Sequence, residues 1–169
     1  MEILIVDEND QPVGSATRQE AWAKGLIHRI VFVMVEDESG RILLQKRLAT
    51  QKLWPGRWTV AASGHVDAGE EYDVAAQRET AEEIGIKNAK LETIGTFFYD
   101  GSFEDKLLRR FDRVYRTVLP SATKFNIQAD ELSEVKWFTL AEVHSLIAQD
   151  PEALTPILIQ IMKDYYGLV

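Results

Sequence analysis

The chain contains no cysteine, which excludes disulfides, thiolate metal sites and a cysteine nucleophile. It has no apolar run near the roughly 20 residues that span a bilayer. The N-terminus, MEILIVDEND, lacks the basic start and the longer apolar stretch of a signal peptide. We therefore expect a soluble, cytoplasmic protein with no membrane partner.

Basic residues are fewer than acidic residues. The chain has 27 acidic and 19 basic residues, a formal net charge of −8, which argues against binding to a nucleic-acid backbone. A small anionic substrate remains compatible if a metal ion or a local basic patch offsets the repulsion. The 169 residues, 46% hydrophobic and 27% charged, suit one globular domain, so residues 1–169 are predicted to form a single domain.

Hydrophobic periodicity and turn residues predict an alternation of strands and helices. A capping box from Thr17 to Glu20 and a stop at Gly85 mark helix ends. The interleaving predicts an α/β (α+β) fold with a mixed sheet and helices on both faces. Residues 1–27 are expected to form a hairpin and helix extension. Helices in 140–169 cover either their own sheet or a partner, which leaves a homodimer open. The strands are predicted at 2–6, from 13, 28–36, 42–46, 59–63, 90–99, 107–118 and 133–138, and the helices at 18–24, 71–85, 140–148 and 152–167.

Three carboxylates share one face of the helix predicted over 71–85. Glu79 lies three residues before Glu82 and four before Glu83, so the three side chains are neighbours that repel one another. A hard divalent cation would offset this repulsion, because Mg²⁺ prefers carboxylate oxygens and also balances charge on a transferred phosphoryl group. A helical wheel places the core-facing side opposite, at Val74, Ala76, Thr80, Ala81 and Ile84.

The segment Gly64–Ile86, GHVDAGEEYDVAAQRETAEEIGI, gives this pattern a family context. It resembles the signature of the Nudix hydrolases: glycine, five residues, Glu, seven residues, Arg-Glu, an apolar residue, any residue, Glu-Glu, any residue, glycine and an apolar residue. Thr80 alone departs from it, and its methyl group is still expected to face the core. The matching positions are Gly64, Glu70, Arg78, Glu79, Thr80, Glu82, Glu83, Gly85 and Ile86.

The resemblance implies an α/β/α sandwich with a loop–helix–loop motif at residues 64–86, and a pyrophosphohydrolase that uses Mg²⁺, with Mn²⁺ able to substitute. It implies that Glu79, Glu82 and Glu83 are metal ligands, together with the backbone carbonyl of Gly64. It also implies that Arg78 orients a carboxylate and that Glu70 supports the loop. The general base stays open between Glu79, Glu83 and a carboxylate from a distant loop.

The flanking sequence is similar to the branch that contains the isopentenyl-diphosphate isomerases and their hydrolase-like relatives. The resemblance implies that a cysteine follows the Trp-Thr step in the isomerases and that two histidines help to hold a metal. Here Ala62 or Ser63 takes the place of the cysteine, while His28 and His65 match the histidines. Isomerases usually lose the Arg-Glu…Glu-Glu pattern that this chain keeps. The segments that carry this similarity are IVDENDQPVG, Gly25–Arg29, LLQKR at 43–47, Leu53–Gly56, Trp58-Thr59 and Ser63–His65.

Several further residues are candidates for the site. His65 either contacts metal or phosphate or caps its loop, whereas His28 is expected to be a structural histidine. The resemblance suggests that Arg47 meets substrate phosphate, and Lys46 and Arg57 are further candidates, with a solvated strand end as the alternative for Lys46 and Arg47. Trp54 and Trp58 are expected to anchor their loop rather than stack on a base. Glu134, and less so Glu131, is a candidate for an additional carboxylate.

Three functions are compatible with these features. The favoured one is hydrolysis of a nucleoside diphosphate linked to another group, X, with Mg²⁺ as cofactor and a small-molecule diphosphate as partner. The alternative is isomerisation of an isoprenoid diphosphate. The third is a non-catalytic nucleotide-binding module, because one fold can serve both binding and catalysis.

Overall fold

The computed structural model describes residues 1–168, and Val169, the last residue of the predicted C-terminal helical region, lies outside them. The predicted mixed sheet is confirmed, and within residues 1–168 it has nine strands. The strands are β1 (Glu2–Val6), β2 (Pro12–Thr17), β3 (His28–Asp37), β4 (Ile42–Arg47), β5 (Trp58–Thr59), β6 (Ala62–His65), β7 (Glu92–Phe103), β8 (Lys106–Leu119) and β9 (Leu132–Phe138).

Four α-helices flank the sheet: α1 (Arg18–Lys24), α2 (Tyr72–Ile84), α3 (Leu140–Gln149) and α4 (Pro156–Tyr166). Helix α1 is capped by Thr17, whose side chain accepts a hydrogen bond from the Glu20 amide. Glu20 pairs with Lys24 instead of completing the predicted capping box. Helix α2 ends at Gly85, which adopts the left-handed conformation with φ of 76°. None of the helices in residues 1–168 is long and apolar enough to cross a bilayer.

Two predicted boundaries were wrong for identifiable reasons. The strand expected at 59–63 is two short strands, β5 and β6, separated by the fully buried Val60 and Ala61. The helix expected at 152–167 is a 3-10 turn, Pro151–Ala153, followed by α4. Pro156 has no amide hydrogen to continue a preceding helix, and its fixed φ suits the first turn of a new one.

Strand β3 organises the sheet. β8 runs parallel to it along its whole length, from the pair His28–Arg110 to the pair Asp37–Leu119. Three antiparallel strands share the opposite edge in succession: β1 at His28, β6 at residues 30–33 and β4 at residues 35–36. Because β4 and β6 pair with different parts of β3, they separate from each other and leave a gap in the sheet.

The sheet has a core on each of its faces, as expected for an α/β/α sandwich. Odd-numbered residues of β3, such as Val31 and Val33, pack against α2. Even-numbered ones, such as Phe32 and Met34, pack against α3 and α4. This alternation follows from the two-residue period of a strand. Val74 is 57% exposed, so its predicted place on the core-facing side of α2 was wrong.

Candidate active site

A cleft of about 250 Å³ opens where β4 and β6 separate. One wall is the acidic face of α2, and the other is formed by β3, β8 and the loop before β5. Its lining includes most residues of the signature segment that carry charge. The residues that line the cleft include Arg18, Gln45, Arg47, Trp54, Ser63, Gly64, His65, Arg78, Glu79, Glu82, Glu83, Arg110 and Glu131.

Glu83 is the most firmly held carboxylate of the cleft. It is 6% exposed, and its Oε2 accepts hydrogen bonds from Gln45 Nε2 at 2.7 Å and from the Ser63 amide at 3.0 Å. Burial, reinforced by the nearby Glu79, raises the pKa of Glu83 well above its usual value. A polar contact from each side of the gap, β4 and β6, therefore fixes this side chain.

Glu79 lies against Gly64, and the contact explains why the signature has a glycine at this position. A Cβ atom added to Gly64 would lie 1.8 Å from Glu79 Oε1, so any side chain would displace the carboxylate. Glu79 is 8% exposed, and burial raises its pKa to about 7, with Arg78 opposing the shift. Glu82, by contrast, has a side chain that is 52% exposed.

Arg78 connects the loop to the acidic face. Its Nε and Nη2 atoms donate to the two carboxylate oxygens of Glu70 at 2.9 and 2.8 Å, and its Nη1 donates to Glu79 Oε1 at 2.6 Å. Nη2 also donates to the backbone oxygen of His65 at 3.0 Å. Glu70 in turn accepts from the Asp67 amide at 3.0 Å. These contacts are the ion pair and loop hydrogen bonds that the family resemblance implied.

The side chain of Thr80 shows why the one departure from the signature is tolerated. Thr80 is fully buried, and its hydroxyl donates to the Ala76 backbone oxygen at 2.6 Å. The polar atom is thereby satisfied within the helix, and the methyl group remains available to the core.

Glu70, Glu79 and Glu82 contact Arg78, whereas Glu83 is held by Gln45 and Ser63, so the carboxylates do not surround a common point. Among residues 1–168, no group of three or more His, Asp or Glu side chains is arranged to hold a metal ion. Arg78 Nη1 contacts both Glu79 and, at 3.4 Å, Glu82. The donor set still suits a hard cation, because two buried carboxylates adjoin a third on one helix face and carboxylate oxygens are the ligands that Mg²⁺ prefers.

The basic candidates differ in where the structure places them. Arg47 lines the cleft and donates from Nε to the Leu53 backbone oxygen at 2.9 Å. Lys46, one residue earlier, points to the other face of β4, where its Nζ lies 5.6 Å from the ring centroid of Trp58. Arg57 is paired with Glu152 and donates to the Leu154 backbone oxygen at 3.3 Å, away from the cleft.

Of the two candidates for an additional carboxylate, the structure places Glu131 in the cleft and not Glu134, which the sequence had favoured. Glu131 lines the cleft and is close enough to Glu79 and Glu83 to raise the pKa of each. Glu134 is exposed on β9 opposite Lys46 and is not part of the cleft. Trp54 and Trp58 both anchor their loop through edge contacts, Trp54 with Phe103 and Trp58 with Phe138, although Trp54 also lines the cleft.

The two histidines stack on each other with ring centroids 5.2 Å apart. His28 is fully buried, and its Nδ1 lies 3.0 Å from the Leu26 backbone oxygen, which fixes Nδ1 as the protonated nitrogen. Burial lowers the pKa of His28 to about 4 and that of His65 well below its usual value. His65 lines the cleft, whereas His28 lies behind it.

Sequence reasoning missed three groups of this site. Gln45 is a buried amide that directly follows the apolar residues Ile42, Leu43 and Leu44 of β4, and a polar residue there was a signal for a functional contact. Arg110 and Asp112 form a fully buried ion pair of 2.7 Å on β8. Arg110 and Asp112 are two residues apart, so both charges lie on one face of the strand. The pattern was not recognised because β8 contains several other arginines.

Comparison with known proteins agrees with this geometry. The NUDIX domain model matches residues 26–160. The chain is 33% identical to isopentenyl-diphosphate Delta-isomerase 2 of Photorhabdus laumondii, over 90% of this chain and 85% of that protein. It is 37% identical to the uncharacterized Nudix hydrolase PA4841 of Pseudomonas aeruginosa, over 85% of this chain and 84% of that protein.

The fold agrees as well. A crystal structure of DR0079 from Deinococcus radiodurans superimposes with a TM-score of 0.79 and 22% identity, covering 98% of this chain and 99% of that one. The family model spans most of the chain, and the relatives above include both an isomerase and a hydrolase. The chain therefore belongs to the Nudix superfamily, in the branch that contains isopentenyl-diphosphate isomerase and its hydrolase-like relatives.

Proposed function

We propose that the protein is a Mg²⁺-dependent hydrolase that cleaves the diphosphate linkage of a nucleoside diphosphate joined to another group, X. The observation that carries this proposal is the pair of buried carboxylates, Glu79 and Glu83, on the cleft wall beside the exposed Glu82. The burial of two neighbouring carboxylates is unfavourable without a cation to balance them. The same cleft also holds arginines for an anionic substrate.

The residues divide into three roles. Glu79, Glu82 and Glu83 would hold Mg²⁺, assisted by the Gly64 carbonyl. The bound ion would supply charge balance for the phosphoryl oxygens and a more acidic attacking water. Mg²⁺ would compete with Arg78 for these carboxylates, because Arg78 Nη1 contacts both Glu79 and Glu82. Glu70 anchors Arg78 and so keeps the loop in place.

Arg47 is the phosphate-binding side chain among the predicted basic residues. Its guanidinium lines the cleft, and burial lowers its pKa while Glu83 and Glu131 oppose that shift. Lys46 and Arg57 make their contacts elsewhere and are not part of the proposed mechanism. The proton of the attacking water would pass to a carboxylate of the cleft, and Glu131 joins Glu79 and Glu83 as a candidate because it too lines the cleft.

The proposal is tested by measuring phosphate or pyrophosphate release across a panel of nucleoside diphosphates linked to sugars, alcohols and second nucleosides. We expect release with Mg²⁺, partial activity with Mn²⁺, and a loss of at least about 100-fold with a chelator, because the metal carries much of the charge stabilisation. Release that persists unchanged in the chelator would contradict the proposal.

Isoprenoid diphosphate isomerisation is the second candidate, favoured by the relative named isomerase and by the stacked pair His28 and His65. Ala62 or Ser63 takes the place of the cysteine whose thiol the isomerases use. A serine hydroxyl is a far weaker acid than a thiol of pKa near 8.5. We expect no incorporation of deuterium from heavy water into isopentenyl diphosphate at high enzyme concentration. Incorporation at a rate above that of phosphate release would favour the isomerase instead.

A further inference from the structure

Unpaired buried polar atoms are concentrated in one small region of the protein. In residues 1–168, six buried side-chain nitrogen or oxygen atoms have no hydrogen-bond partner, and five of them belong to this region. Native proteins pair the large majority of such atoms, so a concentration of exceptions requires an explanation, above all for the donors Trp22 Nε1 and Arg110 Nη2. The five atoms are Trp22 Nε1, His28 Nε2, His65 Nε2, Arg110 Nη2 and Asp112 Oδ2.

The sheet register brings these side chains together. His28 is the cross-strand partner of Arg110, and Ile30 is the partner of both Asp112 and His65. The ring centroid of Trp22, from α1, lies 6.1 Å from that of His65. His65 and Arg110 line the cleft together with Arg18, and Trp22 lines an adjoining depression that shares Arg18 and His65, so the region is continuous with the candidate active site. We call it the Arg110 pocket; by strand alternation it lies on the sheet face opposite α2.

Arg110 is positioned to donate to a ligand. It is 2% exposed, and its Nε donates to Asp112 Oδ1 at 2.7 Å. Its guanidinium carbon lies 4.3 Å from the ring centroid of Tyr99, so the group also packs against that ring. Asp112 therefore orients the guanidinium, while Nη2 remains unpaired. The indole N–H of Trp22 is a second unpaired donor, and an indole nitrogen can only donate.

The surroundings favour an anion over a metal ion. Burial lowers the pKa of His65 most, and the nearby groups His28, Arg18, Arg110 and Arg78 lower it further. Burial and the charge of Arg110 likewise lower the pKa of His28. A cation between the histidines would meet the same guanidinium groups. Asp112 is the only carboxylate of the pocket and already pairs with Arg110, and burial raises its pKa to about 6.

We propose that the Arg110 pocket binds a second anionic group of the substrate, a phosphate, through Arg110 Nη2 and Trp22 Nε1, with Arg18 at its entrance. The inference rests on the proposed function and narrows it: the X group of the preferred substrate carries its own phosphate. A planar guanidinium with free N–H groups is well suited to phosphate oxygens. The scissile diphosphate would lie at α2, and the second phosphate would lie on the other side of the gap in the sheet.

The direct test is titration of the metal-free protein with inorganic phosphate, observed through the indole N–H NMR signals of its four tryptophans. Trp22→Phe identifies the Trp22 signal. We expect that signal to shift saturably with phosphate but not with sodium chloride at matched ionic strength. An unchanged signal, or an equal shift with chloride, would overturn the proposal.

The matched variant is Arg110→Gln combined with Asp112→Asn, which removes both charges and so avoids an unpaired buried carboxylate. We expect phosphate binding to weaken about 10- to 100-fold, the usual loss for a charge-assisted hydrogen bond. With a doubly phosphorylated substrate, KM should rise by a similar factor while kcat changes little. Wild-type affinity in a folded double variant would overturn the proposal, as would broadening of the Trp22 signal by Mn²⁺ that phosphate does not displace.

The two proposals can fail separately. Glu83→Gln should keep the phosphate-dependent shift of Trp22, since Glu83 lies on the other wall of the cleft and metal is absent from the titration. Phosphate binding without hydrolysis of any diphosphate would refute the proposed function alone. Hydrolysis that is indifferent to the double variant and to a second phosphate on the substrate would refute the Arg110 pocket alone.

Discussion

Replacing Glu83 with glutamine is expected to lower kcat by at least about 100-fold while the protein stays folded. Loss of a partner that merely supports a metal ligand typically costs about 10- to 100-fold, so loss of a ligand should cost at least the upper end. The amide keeps the shape of the side chain, and its oxygen, placed where Glu83 Oε2 lies, still accepts from both the Ser63 amide and Gln45 Nε2. Steady-state kinetics with Mg²⁺ measure the effect.

A measurement of thermal stability distinguishes a loss of kcat caused by the missing carboxylate from one caused by misfolding. Glu83 is a buried carboxylate, so a neutral replacement removes a burial cost. In the presence of a chelator, the melting temperature of Glu83→Gln should not fall below that of the wild type. Glu134→Gln is the matched control, because Glu134 is exposed outside the cleft and should leave kcat unchanged. Full activity in Glu83→Gln would show that the metal assignment is wrong.

Gly64→Ala is expected to reduce activity by at least about 100-fold for a different reason. The added methyl carbon would lie 1.8 Å from Glu79 Oε1, so the two atoms would overlap and the carboxylate would have to move. Glu79 is a flexible side chain and can swing away, so the fold should survive with a loss of about 1–3 kcal/mol, the usual cost of overpacking. Displacing the carboxylate removes it both from its contact with Arg78 and from the proposed metal site.

Gly14→Ala provides the control for this experiment. Gly14 lies on the exposed strand β2, and a Cβ atom there would meet nothing within 4 Å. Thermal denaturation and kcat should both stay near the wild-type values. A Gly64→Ala protein with normal kcat would show that the position of Glu79 against the loop does not matter for the reaction.

The sequence was sufficient for the fold and for the central contacts of the signature. The family resemblance implied the contacts of Glu70, Arg78 and Glu79, and these contacts depend only on the spacing of the signature along one loop and one helix. The same reasoning failed for Val74, because the direction of the core depends on how α2 sits on the sheet and not on its own periodicity.

Residues were harder to predict where their position depends on which face of a strand they occupy or on which distant strands pair. Lys46 and Arg47 are adjacent, and only the register of β4 decides that Arg47 faces the cleft. Glu131 and Glu134 exchanged roles because β9 begins at Leu132, which leaves Glu131 just before the strand. The pocket around Arg110 needs β3, β6, β8 and α1 together, and no local pattern reveals such a convergence.

The most direct test of the central claim is to run the Mg²⁺-dependent reaction in water enriched in the heavy oxygen isotope. Mass spectrometry of the products then shows whether water has attacked phosphorus. We expect one labelled oxygen in a phosphate product of the wild-type enzyme, and we expect that labelled product to be lost in Glu83→Gln. Turnover of a diphosphate substrate that leaves both products unlabelled would contradict the claim that this cleft hydrolyses a diphosphate linkage.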